Sequence, residues 1–353
     1  MLNILHIIPT LNIGGAERQL LNLVSTDKEL NHCIVVLLGC EKKFLKEYDL
    51  KNINIYNLKD LGLILKLKEI NKIIKNFKPT IIQTWMYHAS LLSILFYFKK
   101  VPIVWSLRRT NLDLNSLKMS TFLLVRLLSF FSKFFPQGIL YCADSSKKSH
   151  KTIGFYNPNE EIIYNGINVD FSLKKLKSDI PVIGFVGRNI PTKNFNKFFE
   201  FLIILENKKI NVEVNVIGRG FNSEKQNSKK FRYVNLNFLG QVTNMNNQYQ
   251  KMDILISTSS AEGFPNTILE SMSFGVLPIC TNAGDSFNIL SEFGLKLHSV
   301  NSKEIYQKFI QGLKIIEESD TIKMRKYINS RFNQKLTNRL HRQFWFKISN
   351  YKN

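Results

Sequence analysis

Short apolar runs separated by longer stretches of helical periodicity constrain the fold of this 353-residue chain more than any other feature. Six runs rich in Ile and Val precede residue 144: LNILHIIP, CIVVLL, INIYNL, TIIQTW, PIVWSL and GILYCA. Runs that are apolar at almost every position are typical of parallel strands buried on both faces. The alternation therefore predicts a doubly wound α/β domain, in which helices cross over between parallel strands.

A second series of apolar runs begins after a polar stretch, Val169 to Pro181, that carries no clear period. Its members are VIGFVGR, VEVNVIG, VNLNFLG, DILISTS, LPICT and GLKLHSV. A chain of this length exceeds what one hydrophobic core usually supports. We therefore predict an N-terminal doubly wound domain over residues 1–173 and a C-terminal one over residues 174–333.

The end of the chain, residues 334–353, has the period of an amphipathic helix. Its apolar residues Leu336, Leu340, Phe344 and Ile348 recur at spacings of four. We expect this helix to pack back on the N-terminal domain.

The charge of the chain indicates an anionic partner. There are 49 Lys and Arg residues against 27 Asp and Glu, which gives a formal charge of +22. Such an excess attracts phosphates, nucleic acid or anionic lipid. Because the basic residues are spread along the whole chain, an anionic membrane surface is favoured over nucleic acid. A non-catalytic basic binding protein is an alternative that only the charge supports.

Cysteine usage and hydropathy favour a cytoplasmic protein. The four cysteines are too sparse for a disulfide framework and lack metal-ligand spacing, which fits a reducing compartment. The N-terminus has no basic n-region and no cleavage site. No apolar run reaches the roughly 20 residues that cross a bilayer. We expect a location on the inner face of the cytoplasmic membrane, and the cysteines are Cys33, Cys40, Cys142 and Cys280.

The segment Thr121 to Pro136 combines many Phe and Leu residues with Arg126 and Lys133. A helix of this composition can lie in the interface of an anionic bilayer. It can equally be a helix buried on the first sheet, and the sequence leaves both interpretations open. The large apolar residues are Phe122, Leu123, Leu127, Leu128, Phe130, Phe131, Phe134 and Phe135.

Gly14 and Gly15 form the first candidate binding site. They follow the first apolar run and open the helical pattern ERQLLNLV. Glycine lets backbone N–H groups approach a phosphate at the positive end of a helix. A tight structural turn explains the same pair, and the dinucleotide fingerprint G-x-G-x-x-G is absent.

Gly187, Arg188 and Lys193 form the second candidate site, just after VIGFVGR. Open parallel sheets bind ligands at the carboxyl ends of their strands. Arginine can grip two oxygens of a pyrophosphate and lysine can act as a point charge. A solvated basic loop is the alternative.

The stretch EGFPNTILE forms the third candidate site, between the run DILISTS and a helix. Glu262 could accept hydrogen bonds from sugar hydroxyls, and Glu270 from ribose hydroxyls. The N–H groups between them would face a phosphate at the helix N-terminus. A helix-terminal carboxylate and a surface charge are the alternatives. The candidate residues are Glu262, Gly263, Phe264, Pro265, Asn266, Thr267 and Glu270.

These motifs together resemble glycosyltransferase family 4. They are GGAE near the start, GR with a following Lys, E-G-F-P-N-x-x-x-E after its strand, and YNG followed by Ile167 and Val169-Asp170. The resemblance implies the GT-B fold, in which two Rossmann-like domains face each other across a cleft. It also implies a retaining transferase that moves a sugar from a nucleotide diphosphate to an acceptor. Similar enzymes act in bacterial O-antigen, capsule or exopolysaccharide assembly.

The resemblance implies a role for each motif residue. Arg188 and Lys193 would bind the diphosphate, Glu270 the ribose and Glu262 the hydroxyls of the donor sugar. The Gly14-Gly15 turn would approach the phosphates from the opposite domain.

His88, in TWMYH, matches the family histidine that points at the transferred sugar. It joins Glu262, Arg188 and Lys193 as the predicted catalytic residues. A helix-capping or core-packed histidine is the alternative.

Arg108 and Arg109 follow the run PIVWSL at another strand exit. They could bind the anionic head group of a glycan or lipid-linked glycan acceptor. Structural ion pairs are an equally compatible role.

No D-x-D sequence that would chelate a divalent cation under a diphosphate occurs in the chain. We therefore expect catalysis without a metal or other cofactor. Since the resemblance offers no well-placed nucleophilic carboxylate near His88, same-face attack is favoured over a covalent intermediate. A sugar-nucleotide 2-epimerase of the same fold is the alternative enzyme.

Overall fold

The computed structural model shows two compact units. Unit 1 comprises Met1–Asn168 with Gln334–Asn353, and unit 2 comprises Val169–Asn333. The predicted domain boundary, after residue 173, lies outside the described residues. The described residues are 2–112, 117–167, 178–221, 231–242, 244–318 and 321–350.

A seven-stranded parallel sheet forms the centre of unit 1. Its strands are β1 (Asn3–Ile8), β2 (Asn31–Val36), β3 (Asn54–Asn57), β4 (Ile81–Trp85), β5 (Ile103–Leu107), β6 (Gly138–Tyr141) and β7 (Glu160–Ile162). Their order across the sheet is β3-β2-β1-β4-β5-β6-β7, with every adjacent pair parallel. This order is that of the Rossmann fold with one additional strand.

Helices cover both faces of this sheet. They are α1 (Gly15–Thr26), α2 (Lys42–Leu45), α3 (Leu63–Phe77), α4 (Met86–Ser93), α5 (Met119–Phe131) and α6 (Asp144–Ile153), with a 3₁₀ helix over Ile94–Lys99. Residues of α3, α4 and α5 pack into the core on one face, and residues of α1 pack into the core on the other. The central strands are buried on both sides, which explains their continuous apolar sequence.

Unit 2 repeats the same plan with six parallel strands. They are β8 (Val182–Val186), β9 (Val212–Ile217), β10 (Val234–Gly240), β11 (Ile254–Ser257), β12 (Leu277–Thr281) and β13 (Leu295–Leu297), in the order β10-β9-β8-β11-β12-β13. The helices are α7 (Phe195–Asn207), α8 (Met245–Lys251), α9 (Asn266–Ser273), α10 (Ser286–Leu290), α11 (Ser302–Glu318) and α12 (Thr321–Phe332). The prediction of two doubly wound parallel-sheet domains is confirmed.

The strand order reverses beside the first strand of each sheet. In unit 1 the chain moves outward from β1 to β3 on one side and from β4 to β7 on the other, so the reversal lies between β1 and β4. In unit 2 it lies between β8 and β11. Ligands of open α/β sheets bind in the crevice outside the carboxyl ends of the strands at such a point. These two positions are therefore where ligand-binding residues are expected.

The last helix, α13 (Gln334–Ser349), belongs to unit 1, but only part of the predicted stripe faces the core. Phe344 and Ile348 enter the core together with Trp345. Leu340 packs at its edge, and Leu336 is only half-buried. The remaining buried side chains of α13 are polar: Gln334, Thr337, Asn338 and His341.

Polar groups at the start of α13 are buried because unit 1 supplies partners for them. The Gln334 N–H donates to the Ile167 carbonyl at 3.0 Å. The Thr337 hydroxyl donates to the Tyr164 carbonyl at 3.2 Å. A Cβ on Gly166 would lie within 2.8 Å of Gln334 and Thr337, so only glycine lets the helix approach this closely. An apolar period cannot predict a face that is held by hydrogen bonds.

A chain of buried polar side chains lies under α13. Trp85 Nε1 donates to His6 Nδ1 at 3.2 Å. Because His6 Nδ1 accepts this hydrogen bond, the neutral ring carries its proton on Nε2, which donates to His32 Nδ1 at 3.0 Å. His32 Nε2 lies 3.6 Å from Asp27, and Arg342 of α13 donates to Asp27 at 3.3 Å. The network joins β1, β2 and β4 to the last helix.

Burial keeps three histidines of unit 1 neutral. It lowers the pKa of His150 and of His341 to about 4. Burial, with His32 and His341 nearby, also lowers the pKa of His6 well below its usual range. The unfolded chain binds protons at these positions more readily than the folded chain, and stability therefore depends on pH.

We predict that the free energy of unfolding falls as the pH is lowered from 7 to 5. The stabilisation is complete above the unfolded pKa, near 6.5, and is lost as the pH falls towards the folded pKa, near 4. The loss at pH 5 should be on the order of 1–2 kcal/mol for each such histidine. Urea titrations across this pH range measure it. His150→Gln removes one of the groups and should show a smaller drop than the wild type, and an equal drop would contradict this explanation.

Candidate active site

The loop from β8 to α7 carries the basic residues of the site in unit 2. Gly187 directly follows β8, Arg188 is exposed, and Lys193 ends a 3₁₀ turn over Pro191–Lys193. The stem of Lys193 crosses Gly187, where a Cβ would lie 3.2 Å from its carbons. The loop thus places a cationic head group beside the carboxyl end of β8, at the point where the strand order reverses.

The exit of β11 holds this loop in place. Thr258 donates its hydroxyl proton to the Lys193 carbonyl at 2.8 Å. The Asn194 side-chain amide donates to the Thr258 carbonyl at 3.0 Å. The Asn194 backbone is left-handed, with φ of 48°, and caps the N-terminus of α7. The Ser260 N–H donates to the Thr192 carbonyl at 2.8 Å. Lys193 is therefore positioned by backbone and side-chain bonds from the strand next to its own.

The exit of β9 holds the same loop from the other side. Gly187 N–H donates to the Ile217 carbonyl at 2.8 Å, and Asn189 N–H donates to the Arg219 carbonyl at 2.8 Å. Gly218 has φ of +146°, and a Cβ there would lie 1.7 Å from the Gly187 carbonyl oxygen. Only glycine permits this approach of two strand exits.

Lys193 and Glu262 form an ion pair across the strand reversal of unit 2. Lys193 Nζ lies 2.5 Å from Glu262 Oε1, and both side chains are about 15% exposed. The two residues are 69 positions apart in sequence, and parallel pairing of β8 with β11 brings their loops together. Opposite charges in a site of limited solvent access interact more strongly than they would on the open surface.

The segment after Glu262 descends into α9. Phe264 and Pro265 are buried and anchor the loop, and the helix begins at Asn266 with Thr267 in its first turn. Gly263 is half-buried between the anchor and Glu262. The N-terminus of α9, the positive end of the helix, thus follows Glu262 by four residues.

Glu270 lies on the second turn of α9 and is held by a tyrosine that the sequence analysis missed. The Tyr249 hydroxyl, on α8, donates to Glu270 Oε2 at 2.8 Å. The Tyr249 ring is buried and stacks on Phe274 at 5.9 Å between ring centroids. Glu270 is therefore an oriented, half-buried carboxylate rather than a free surface charge.

A glycine after β12 completes the surroundings of Glu262. Gly284 has φ of +60°, and a Cβ there would lie 2.8 Å from the Glu262 carbonyl oxygen. Neither Gly284 nor Gly218 was a sequence candidate. Gly218 directly follows β9, as Gly187 directly follows β8, and Gly284 lies in the loop after β12, so their place in a segment that leaves a strand was the available signal.

In unit 1, His88 lies at the carboxyl end of β4, beside the strand reversal. It is exposed, so the core-packed alternative is excluded. Helix α4 follows β4 without an intervening loop, and Met86 makes the turn with φ of 66°. A non-glycine residue in this left-handed conformation costs on the order of 1–3 kcal/mol and is often found at functional sites.

Two buried aromatic residues hold the Met86 turn. Trp85 is buried in the core on one face of the sheet and Tyr87 in the core on the other. Trp85 is hydrogen-bonded to His6, and the Tyr87 hydroxyl lies 2.9 Å from His150 Nε2. Because both flanking side chains are fixed, the turn between them directs His88 out of the sheet edge.

The Gly14-Gly15 turn lies at the carboxyl end of β1, the other strand of the unit 1 reversal. Gly14 is the N-cap of α1, and its carbonyl accepts from the Arg18 N–H at 3.0 Å. The Glu17 carboxylate folds against Gly14 and accepts from the Thr10 hydroxyl at 3.0 Å. This carboxylate balances part of the positive end of α1.

The two arginines after β5 differ in environment. The Arg108 guanidinium lies 4.5 Å from the centre of the Trp85 ring and donates to Asn165 Oδ1 at 3.2 Å. Arg109 is exposed, and its carbonyl accepts from the Ser146 hydroxyl at 2.7 Å. Arg108 therefore has a stacking role inside unit 1, and Arg109 is the more accessible of the two predicted acceptor residues.

The described residues contain no cluster of three or more His, Cys, Asp or Glu side chains that could hold a metal ion. Over the same residues, none of the helices has both the length and the apolarity that crossing a membrane demands.

Two family models match the chain. Residues 169–330 match glycosyl transferases group 1, and residues 13–171 match glycosyltransferase family 4. The chain is 21% identical over 340 residues to the capsular polysaccharide biosynthesis glycosyltransferase CapH of Staphylococcus aureus, across 91% of this chain and 94% of that protein. It is 25% identical over 305 residues to the O-antigen biosynthesis glycosyltransferase WbnH of Escherichia coli, across 84% and 86%.

Solved structures share the fold. Alr3699/HepE of Anabaena, in complex with UDP, has a TM-score of 0.82 at 16% sequence identity. The match covers 98% of this chain and 100% of that one. A glycosyltransferase of Rickettsia africae has a TM-score of 0.81 at 18% identity, with 99% of each chain covered. The predicted GT-B fold class is confirmed. Since the two family models together span residues 13–330, the chain belongs to the group 1 glycosyltransferases of family 4.

Proposed function

We propose that the enzyme moves a sugar from a nucleotide diphosphate to a lipid-linked glycan acceptor, with retention of anomeric configuration and without a metal ion. The observation that carries this proposal is the Lys193–Glu262 ion pair at the strand reversal of unit 2, with 2.5 Å between Nζ and Oε1. Arg188 lies on the same loop as Lys193, and Glu262 comes shortly before the start of α9. Cations, a helix N-terminus and an oriented carboxylate are what a sugar diphosphate requires.

The diphosphate is assigned to the cations of this site. An incoming phosphate competes with Glu262 for the Lys193 ammonium, and exposed Arg188 can grip two of its oxygens. Charge that builds on the departing diphosphate is then stabilised by groups already fixed by Thr258 and Asn194. Such preorganised stabilisation is the largest contribution in many enzymes.

The two carboxylates are assigned to hydroxyl groups of the donor. Glu262, once Lys193 turns to the phosphate, accepts hydrogen bonds from the sugar. Glu270 accepts from the ribose, and its Tyr249 partner keeps it oriented. The N-terminal end of α9 is assigned to the phosphates, because the positive end of a helix attracts an anion.

The residues of unit 1 keep the roles that the family resemblance implies. His88 is assigned to the transferred sugar, the Gly14-Gly15 turn to the donor, and Arg109 together with Arg108 to the acceptor. The acceptor hydroxyl oxygen attacks the anomeric carbon on the face from which the phosphate departs, and a leaving phosphate oxygen takes the hydroxyl proton.

Bacterial surface polysaccharide is the proposed product. CapH and WbnH carry names that place them in capsule and O-antigen biosynthesis. Together with the charge of +22, this supports work on a lipid-linked acceptor at the anionic cytoplasmic face of the membrane. The donor is a nucleotide sugar, and Alr3699/HepE is a structural neighbour with UDP.

Glu262→Ala and Lys193→Ala should each reduce transfer by about 10²-fold or more, because each removes a group that the donor requires. Transfer of radiolabelled sugar from nucleotide sugars to a bacterial lipid extract measures the effect. The matched control is Lys197→Ala with Glu200→Ala, an ion pair of 2.8 Å on α7 with both side chains well exposed. Wild-type transfer in either site variant would remove the assignments. Sugar alteration that does not require lipid would favour the epimerase.

Transfer should be insensitive to metal removal, because cations and a helix end occupy the position of a metal ion. The rate after dialysis against a chelator, with and without added Mg²⁺ or Mn²⁺, tests this. A rate that falls on dialysis and returns with the metal would contradict metal-independent transfer.

A nucleoside diphosphate should raise the temperature of unfolding, and the base giving the largest shift identifies the donor class. Ligand at a hundredfold excess over Kd adds about 2.7 kcal/mol of stability. Lys193→Ala should lose most of the shift, whereas Lys197→Ala should keep it. No shift with diphosphates of uracil, guanine, adenine or cytosine would contradict nucleotide binding at this site.

A further inference from the structure

Helix α5 presents two different apolar faces, and the structure separates them. Of the eight Phe and Leu residues named from the sequence for the segment Thr121 to Pro136, four pack against the core of unit 1 and four are exposed. The inward residues are Phe122, Leu128, Phe131 and Phe135, and the outward residues of the same predicted segment are Leu123, Leu127, Phe130 and Phe134. The helix is therefore buried on the sheet, and a second apolar face remains uncovered.

The outward face is a continuous stripe. Met119 joins Leu123, Leu127, Phe130 and Phe134 at spacings of four, four, three and four, and these five side chains are 46–61% exposed. At 1.5 Å per helical residue the part of the stripe on α5, from Met119 to Phe130, is about 16 Å long, and Phe134 lies in the turn that follows the helix. Soluble proteins rarely leave so many large apolar side chains contiguous, and such patches indicate an interaction surface.

Other helices on the same face of the sheet also expose apolar side chains. Helix α4 packs beside α5, and Leu91 of α4 and Leu95 of the 3₁₀ helix that follows it are 37% and 57% exposed. The first turn of α3, which lies on the same face of the sheet, exposes Leu63, Ile64 and Leu65 by 53–71%. Exposed apolar side chains therefore also occur on α3, on α4 and on the 3₁₀ helix, on the face of the unit 1 sheet that carries α5.

The charge around the stripe has one sign. Lys118, Arg126 and Lys133 are exposed along α5 and its ends. Between Glu69 and Asp144 the sequence has a single acidic residue, Asp113, against ten basic ones. The basic residues are Lys72, Lys75, Lys78, Lys99, Lys100, Arg108, Arg109, Lys118, Arg126 and Lys133.

We infer that this stripe inserts into the interface of an anionic lipid bilayer. An apolar face of Leu, Met and Phe flanked by Lys and Arg is the composition of helices that lie in the headgroup region. Each basic residue near an anionic surface adds attraction, which salt screens. A second copy of the chain is disfavoured as the occupant, because it carries the same net charge of +22 and would repel the first.

The purpose of this insertion rests on the proposed function, because α5 in the bilayer would hold the enzyme where a lipid-linked acceptor lies. The insertion itself is separable from that function, because Met119 to Phe134 include none of the assigned donor residues. Membrane binding and nucleotide binding can therefore be measured independently on the same protein.

Sedimentation of the full-length protein with vesicles tests the inference. Vesicles of phosphatidylglycerol and phosphatidylcholine in equal parts should bind the wild type, and binding should weaken with added salt and on pure phosphatidylcholine. Leu123→Ser with Phe130→Ser should reduce binding at least about tenfold, because two inserted side chains are lost. The matched control is Ile322→Ser with Phe346→Ser. These two apolar side chains lie outside the stripe and are 57% and 49% exposed. The control should bind vesicles as the wild type does.

Unchanged nucleotide-induced thermal shifts in the stripe variant would show that its fold and donor site are intact. Equal vesicle binding by wild type and stripe variant would overturn the inference. A second outcome would also overturn it: the wild type is a dimer, the variant Leu123→Ser with Phe130→Ser is a monomer, and both bind vesicles equally. In that case a second copy of the chain, and not a bilayer, covers the stripe. If vesicle binding behaves as expected but no nucleotide binds, the proposed function fails and the bilayer surface stands.

Discussion

The reversal of strand order beside the first strand of each sheet is the constraint on which the rest of the structure depends. Strands β1 and β4 in unit 1, and β8 and β11 in unit 2, end side by side while their chains leave in opposite directions. The loops must therefore diverge and leave a crevice at the carboxyl edge. Gly14, Lys193 and Glu262 lie on segments that leave strands at these two reversals, and His88 lies in the first turn of the helix that follows β4.

Hydrogen bonds between strand exits turn the unit 2 crevice into a site with fixed chemistry. Thr258 and Asn194 bind the Lys193 loop to the exit of β11, and close contacts at Gly218 and Gly284 bring the neighbouring loops against it. The Lys193–Glu262 pair then places a cation and a carboxylate where a phosphate and a sugar can share them. The aromatic residues beside Met86 hold the turn before His88 in the same manner, so in each unit the candidate site residues depend on buried neighbours for their position.

Patterns local in sequence predicted the parts of the fold that depend on local chemistry. Continuous apolar runs identified the buried central strands, whereas β7, a half-buried edge strand with the sequence EEI, has no such run and was not among them. The motif residues were found from their positions after strands, but the Tyr249 partner of Glu270 and the Lys193–Glu262 ion pair join distant segments that no spacing reveals. The buried polar half of α13 was missed for the same reason, since Thr337 is satisfied by a carbonyl 173 positions away. The two interpretations of α5 could not be separated until its inward and outward faces were known.

The central claim is that a nucleoside diphosphate is held at the strand reversal of unit 2, between the β8 exit and the start of α9. Amide hydrogen exchange, with and without a saturating nucleoside diphosphate, tests it most directly because it reports every segment at once. We expect slower exchange in residues 187–194 and 262–270, with helix α11 unchanged. Protection elsewhere in unit 2, with none in these two segments, would contradict the assignment of the site.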